Sequence, residues 1–251
     1  MMWKPWPVFL ATVVSFFAAM SSRLLTPLIQ AQDKTGLVKP NVSQGDLPLV
    51  EKVIAARKQY QQALEQLREH YLRTGDVERQ QWVEEELIGF HRITKRAYIL
   101  ELDVPPPSLK PEHNIPEANE LFRRAMQFKG RGYGQEYEDN MRRAELLLQQ
   151  LLTYYPQSDK IDDAAYQLGE IYENRPFRQY RRAAWYYERS FQWNPNTSND
   201  ARLRAARIYD RILQERGKAI QLYREVINYD ADPQRVEEAR RRLKELSGNS
   251  Q

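Results

Sequence analysis

Asp162-Asp163-Ala164-Ala165-Tyr166-Gln167-Leu168-Gly169-Glu170-Ile171-Tyr172, followed by Ala183-Ala184-Trp185-Tyr186-Tyr187 and closed by Pro195, is the stretch on which the fold turns. Ala183, Tyr187, Ser190 and Pro195 repeat, 39 residues on, the pattern of Ala144, Leu148, Leu151 and Pro156. Each copy reads small, large four later, a third packing position three later, and proline five later. Ala219, Tyr223 and Val226 make a third copy after 36 more residues, with its proline displaced to Pro233. Leu168-Gly169 and Tyr172 precede the second copy as Ala205-Ala206 and Tyr209 precede the third. Self-similarity at this period marks stacked supersecondary units, none of which can bury its apolar face alone.

Working outward, the prolines divide the chain. Interior proline removes a helix donor and clashes with the preceding turn, so proline-free spans such as Gln157 to Arg175 and Phe177 to Asn194 are helix-sized units. The span from Leu49 to Val104 is also free of proline. In it Val53, Tyr60, Leu64, Leu67 and Tyr71 share one face at heptad-like, coiled-coil spacing. Gly75 suits a helix C-cap and Asp76 an N-cap, and Val77, Trp82, Val83, Leu87 and Phe90 continue on a second helix. The reading is an antiparallel helical hairpin over 49–103, with Tyr98-Ile99-Leu100 as a helix end. A proline-rich linker, expected to be extended, follows over 104–115. Three helical repeats and a capping helix then occupy 116–246. That last helix starts at Asp232-Pro233 and carries a polar surface of Arg240, Arg241, Arg242, Lys244 and Glu245. Residues 247–251 are expected to be a disordered tail. No alternating run bounded by hairpin turns suggests a strand, so the predicted class is all-α: an N-terminal hairpin, a short α-solenoid and a C-terminal cap. Gly130, Gly132 and Gly134 therefore read as a loop between helices. A phosphate cradle would need a strand before it.

Leu168, Gly169, Tyr172, Ala183, Tyr187 and Pro195 resemble the signature of the tetratricopeptide repeat (TPR) family, which has a period of 34 residues. Tyr155-Pro156, Ser158 and the Asp162 to Tyr172 run are similar to the variety found in bacterial envelope proteins, including BamD-like outer-membrane assembly lipoproteins and periplasmic division-coordinating proteins. The resemblance covers about half the chain and does not extend to the hairpin. It implies that Gly169 and Ala183 are small so that helices A and B approach closely. It also implies that Tyr172 and Tyr187 fill the space between repeats and that Pro195 stops helix B. Ala165 stands where the family's tryptophan would be, and the lipid-anchoring cysteine of the BamD-like group is absent.

The 251 residues contain no cysteine, which excludes disulfides, thiolate metal sites and a cysteine nucleophile. Of the 38 Lys and Arg residues, Lys4 and Arg23 lie in residues 1–31, leaving 36 against 34 acids. So even a balance lacks the clustered basic patch of a nucleic-acid protein. Residues 1–31 read as a secretory signal: Lys4, an apolar run from Val8 to Met20, then small residues, with cleavage after Ser21 or Ala31. The alternative is an inner-membrane anchor over residues 7–29, which would bury Arg23 at a cost of about 2.5–3.5 kcal/mol. Residues 32–48 read as a flexible lead. These features place the chain in the periplasm or cell envelope.

The expected function is non-enzymatic protein binding, with no cofactor. His70, His91 and His113 have no metal-ligand spacing, and no nucleophile motif occurs. The resemblance implies a concave face lined by helix A. Asp163, Tyr166, Glu170 and Glu173 would lie there in the second repeat, with Leu203, Arg207, Asp210 and Arg211 in the third. The three acids would repel a C-terminal carboxylate, so no carboxylate clamp is expected. Two alternatives stay open: glycan or wall-polymer binding through Trp185 and Trp193, and self-association through the 49–97 hairpin. The mixed basic and aromatic stretch from Arg175 to Trp193 reads as helix packing before nucleic-acid binding.

Overall fold

The computed structural model describes residues 45–248. The proposed signal or anchor, most of the flexible lead and residues 249–251 lie outside the described residues. The described chain is all-α, with ten helices and one isolated bridge between His113 and Ser158. None of its helices is long and apolar enough to cross a membrane.

The hairpin is α1 (Leu47–Thr74) and α2 (Val77–Arg92). α1 begins two residues earlier than the sequence suggests, because Pro48 takes a first-turn position where its missing N–H has no partner to lose. Gly75 adopts φ 71° and donates its N–H to the Tyr71 carbonyl, while the Asp76 side chain accepts from the Arg79 amide. The two caps turn the chain within two residues. Tyr98-Ile99-Leu100 is not a helix end: α2 stops at Arg92, and Ile99 caps the start of a four-residue turn, α3 (Leu100–Asp103).

The second part comprises α4 (Pro116–Phe128), α5 (Gly134–Tyr154), α6 (Ile161–Glu173), α7 (Tyr180–Trp193), α8 (Ala201–Arg211), α9 (Arg216–Tyr229) and α10 (Pro233–Gly248). α10 runs through Ser247 and Gly248, two residues into the predicted tail. From α4 onward every helix packs on its neighbour in sequence. Ala144, Ala183 and Ala219, the small residues of the three copies, are each fully buried. Leu148, Tyr187 and Tyr223, four residues on, are fully buried too. Gly130, Gly132 and Gly134 all have positive φ (77°, 79° and 55°), which turns the chain sharply between α4 and α5.

The tightest approach is between α6 and α7. A Cβ on Gly169 would sit 2.5 Å from Cδ1 of the Tyr187 ring. That ring cannot step aside, because it is fully buried and its hydroxyl donates to Glu173 Oε2 at 2.7 Å. Tyr172 is held comparably, edge-on to Phe177 at 5.3 Å and stacked on Tyr186 at 5.5 Å.

The proline-rich segment is not a free linker. Val104 is buried, and the carbonyls of Pro105 and Pro106 accept hydrogen bonds from Arg189 Nε (2.6 Å) and Trp193 Nε1 (3.0 Å). Further along, the amides of Glu112 and His113 donate to the Gln157 carbonyl, and the Asp159 amide donates to the His113 carbonyl at 2.7 Å. Proline lacks a donor but keeps its carbonyl, so a solvated extended segment is a good acceptor strip for side chains on α7. The segment is a strap across the repeats.

Two measurements check this packing. Gly169→Ala gains about 1 kcal/mol of helix propensity but overpacks by about 1–3 kcal/mol, so we expect a net loss in urea unfolding. Removing the ring in the same chain, with Tyr187→Leu, should cancel the overpacking part of the loss. Amide hydrogen exchange should show His113 and Asp159 protected, whereas an undocked linker would exchange at the intrinsic rate.

Candidate functional site

The residues expected to line a concave face do come together, but largely on one another. Arg204 on α8 is the hub. It contacts Glu170 (3.1 Å) and Glu173 (3.4 Å) on α6 and Asp200 (2.9 Å) at the start of its own helix. Lys129, at the end of α4, also pairs with Glu170. Tyr166 donates its hydroxyl to Asp200 Oδ1 at 2.7 Å. Toward the C-terminus, Arg207 binds Glu238 on α10 through Nε at 2.8 Å, and Arg211 approaches the same carboxylate at 3.8 Å. Asp210 accepts from Arg242 at 2.6 Å and from the Tyr223 hydroxyl at 3.0 Å. The row of charges thus joins α4, α6, α8 and α10.

Three members of the predicted face are corrected outright. Leu203 is only 2% exposed and belongs to the core. Glu170 and Glu173 are consumed by Arg204 and are not free acids awaiting a ligand. Asp163, paired with Lys160 at 3.3 Å, remains partly exposed. Electrostatics follow the contacts. The hydrogen bond from Arg207 holds the Glu238 carboxyl below its ordinary range. Burial, then Asp210 beside it, pushes the Tyr223 phenol up to about 12.

The aromatic surface proposed for polymers is also changed. Trp193 is 4% exposed and bound to the strap, while Trp185 is half-buried with the Arg189 guanidinium 5.5 Å from its ring. Phe177, Tyr186, Tyr187 and Phe191 are core.

A second arrangement escaped the sequence reading. α1 packs on α2 and α2 touches α5, leaving a cleft of about 350 Å³ between α1 and α5. One wall carries Ile54, Arg57, Lys58, Gln61, Gln62 and Glu65, and the other Glu145, Leu146, Gln149, Gln150, Thr153 and Tyr154. Phe90, Lys95, Asp103 and Arg182 line it as well. Arg182 lies 3.9 Å from the centre of the Tyr172 ring and touches Asp103 at 2.5 Å, a close ion contact without hydrogen-bond alignment. The Tyr172 hydroxyl donates to Glu145 Oε1 at 2.6 Å, and Gln149 donates to both Tyr172 (3.1 Å) and Tyr186 (2.7 Å). Burial raises the Asp103 carboxyl and lowers the Lys95 ammonium. Burial, with Lys95 and Arg142 nearby, also pushes His91 down to about 4, which keeps its imidazole neutral. The cleft was illegible in sequence because its walls come from segments about 90 residues apart that share no motif. Among the described residues, no group of three or more acids or histidines could hold a metal ion.

No protein-family model, curated protein or solved structure matches the chain.

Arg204→Ala would leave Glu170, Glu173 and Asp200 facing one another without their common cation. We expect a loss of about 2 kcal/mol in chemical unfolding, below the 3–5 kcal/mol of a fully buried pair because the site is partly solvated. Added salt screens the carboxylate repulsion, so the deficit against wild type should shrink as the ionic strength rises. A deficit independent of salt would mean that Arg204 acts only through packing.

Proposed function

We propose that the chain is a non-enzymatic, exported scaffold of tetratricopeptide-type repeats that holds a protein partner in the cell envelope during assembly of a complex. One observation carries the protein-binding part. Twelve of the sixteen large apolar side chains left exposed among the described residues lie between Leu47 and Leu102, and most of them are on the hairpin. They include Val53, Tyr60 and Leu67 on α1 and Trp82 and Ile88 on α2. α1 is 28 residues long, yet Leu64 is its one buried residue. Apolar side chains gathered on one element of a soluble chain mark an interaction surface more often than an accident.

The repeats supply a rigid mount for that hairpin. Arg92 on α2 grips Asp139 on α5 through two hydrogen bonds of 3.0 and 2.8 Å. The envelope setting is supported by the residue pattern of the repeats and by the apolar run from Val8 to Met20. With Trp193 buried and Trp185 partly covered, wall-polymer binding is the weaker reading.

A photo-crosslinking side chain placed at Val53 or Trp82 in the native host tests the proposal. A stoichiometric envelope protein crosslinked there, and not from a probe at Lys244, is the expected result. Crosslinks only between copies of this chain would make the hairpin a self-association device. Retention on wall material with no protein crosslink would overturn the scaffold reading.

A further inference from the structure

We infer that the cleft between α1 and α5 is a peptide-binding groove whose ligand is an extended segment of a protein partner carrying carboxylates at the α1 end; this rests on the scaffold reading above. Arg57, Lys58 and Lys95 line the cleft, and among the described residues none of them has a carboxylate within 4.0 Å. Arg57 lies against the Tyr98 ring at 5.6 Å. Lys95 donates to the Phe90 carbonyl at 3.1 Å and sits 4.3 Å from the Phe90 ring centre. Glu145 attracts Lys95 from beyond contact distance, but a partly buried ammonium with no carboxylate against it is costly, and an arriving carboxylate would supply that contact. The acids of the cleft leave that role open: Asp103 contacts Arg182, Glu145 accepts from Tyr172, and Glu65 accepts from Gln61. Their presence also sets the ligand class. Three carboxylates among the cations repel a polyanion such as nucleic acid but tolerate a peptide with one or two acids.

Shape and hydrogen bonding point the same way. A second, open cleft of about 530 Å³, lined by Pro116, Glu117, Glu120 and Leu121, shares Gln150 and Tyr154 with the first. The two adjoin at Gln150 and Tyr154, and each falls within the roughly 300–1,000 Å³ of ligand pockets. Two adjoining clefts suit an extended chain better than a compact molecule. Glu117 and Glu120 at the far end disfavour acids there, which sets the ligand's direction. Among the described residues the side chains of Gln62 and Gln150 make no hydrogen bond, and an amide offers donor and acceptor together to a peptide backbone. Ile54, Leu146 and Tyr154 provide apolar contact.

The test is fluorescence anisotropy with the full chain and an array of labelled octapeptides built from Glu, Leu and Ser, against matched peptides with Lys for Glu and a single-stranded oligonucleotide. We expect saturable binding of acidic peptides that weakens with added salt. Arg57→Gln with Lys95→Gln should reduce affinity at least tenfold, and Gln150→Trp should block the groove, both with unchanged circular dichroism. Lys244→Gln, on α10, should have no effect. No acidic-peptide binding, equal binding of the lysine peptides, preference for the oligonucleotide, or full affinity in Arg57→Gln/Lys95→Gln and Gln150→Trp would overturn the proposal. A protein partner captured through the hairpin equally by wild type and Arg57→Gln/Lys95→Gln would overturn the groove while leaving the scaffold reading standing.

Discussion

The contact of Gly169 with the Tyr187 ring is the constraint on which the repeat region depends. It lets α6 and α7 approach until the ring lies over helix backbone, with no room for even one methyl group. That depth fixes the ring, and the ring fixes its hydroxyl beside Glu173 and Arg204. The apolar packing of one helix pair thereby positions the polar hub that joins it to the next. Loosening the first would leave the second without its geometry.

The charged row across α4, α6, α8 and α10 shows why a pattern of exposed-looking residues is a poor guide to a binding face. Glu170, Arg204, Arg207, Asp210 and Glu238 are spaced as solvated helix positions would be. Between parallel rows of neighbouring helices, however, opposite charges meet across the gap and neutralise each other. Such half-exposed pairs contribute modestly one by one. Their collective effect is to tie α4, α6, α8 and α10 in one register, where apolar contact alone would allow sliding.

Burial is distributed unevenly along the described chain. α6, α7 and α8 each bury seven or more residues, while α1 and α2 bury one apiece. The hairpin holds together through local features: the caps at Gly75 and Asp76, the edge-on pair of Tyr60 and Phe90 at 5.3 Å, and the Arg68–Glu84 ion pair at 2.9 Å. Its apolar surplus faces outward beside the α1–α5 cleft. The helices from α6 to α8 are densely packed, and the hairpin leaves most of its large apolar side chains exposed.

The helical class, the hairpin turn, the packing role of Ala144, Ala183, Ala219 and Tyr187, and the tight approach at Gly169 were legible in the sequence. Each depends on contacts a few residues away or on a period that repeats itself, and spacing reports both directly. The strap at 104–115, the burial of Leu203 and Trp193, the pairing of Glu170 and Glu173 with Arg204, and the cleft between α1 and α5 were decided by tertiary structure. In each of these a side chain's fate depends on what stands opposite it, from a segment that local spacing does not identify. A proline run lacks donors but keeps carbonyls, and whether those meet water or an arginine is settled only when α7 is laid beside them.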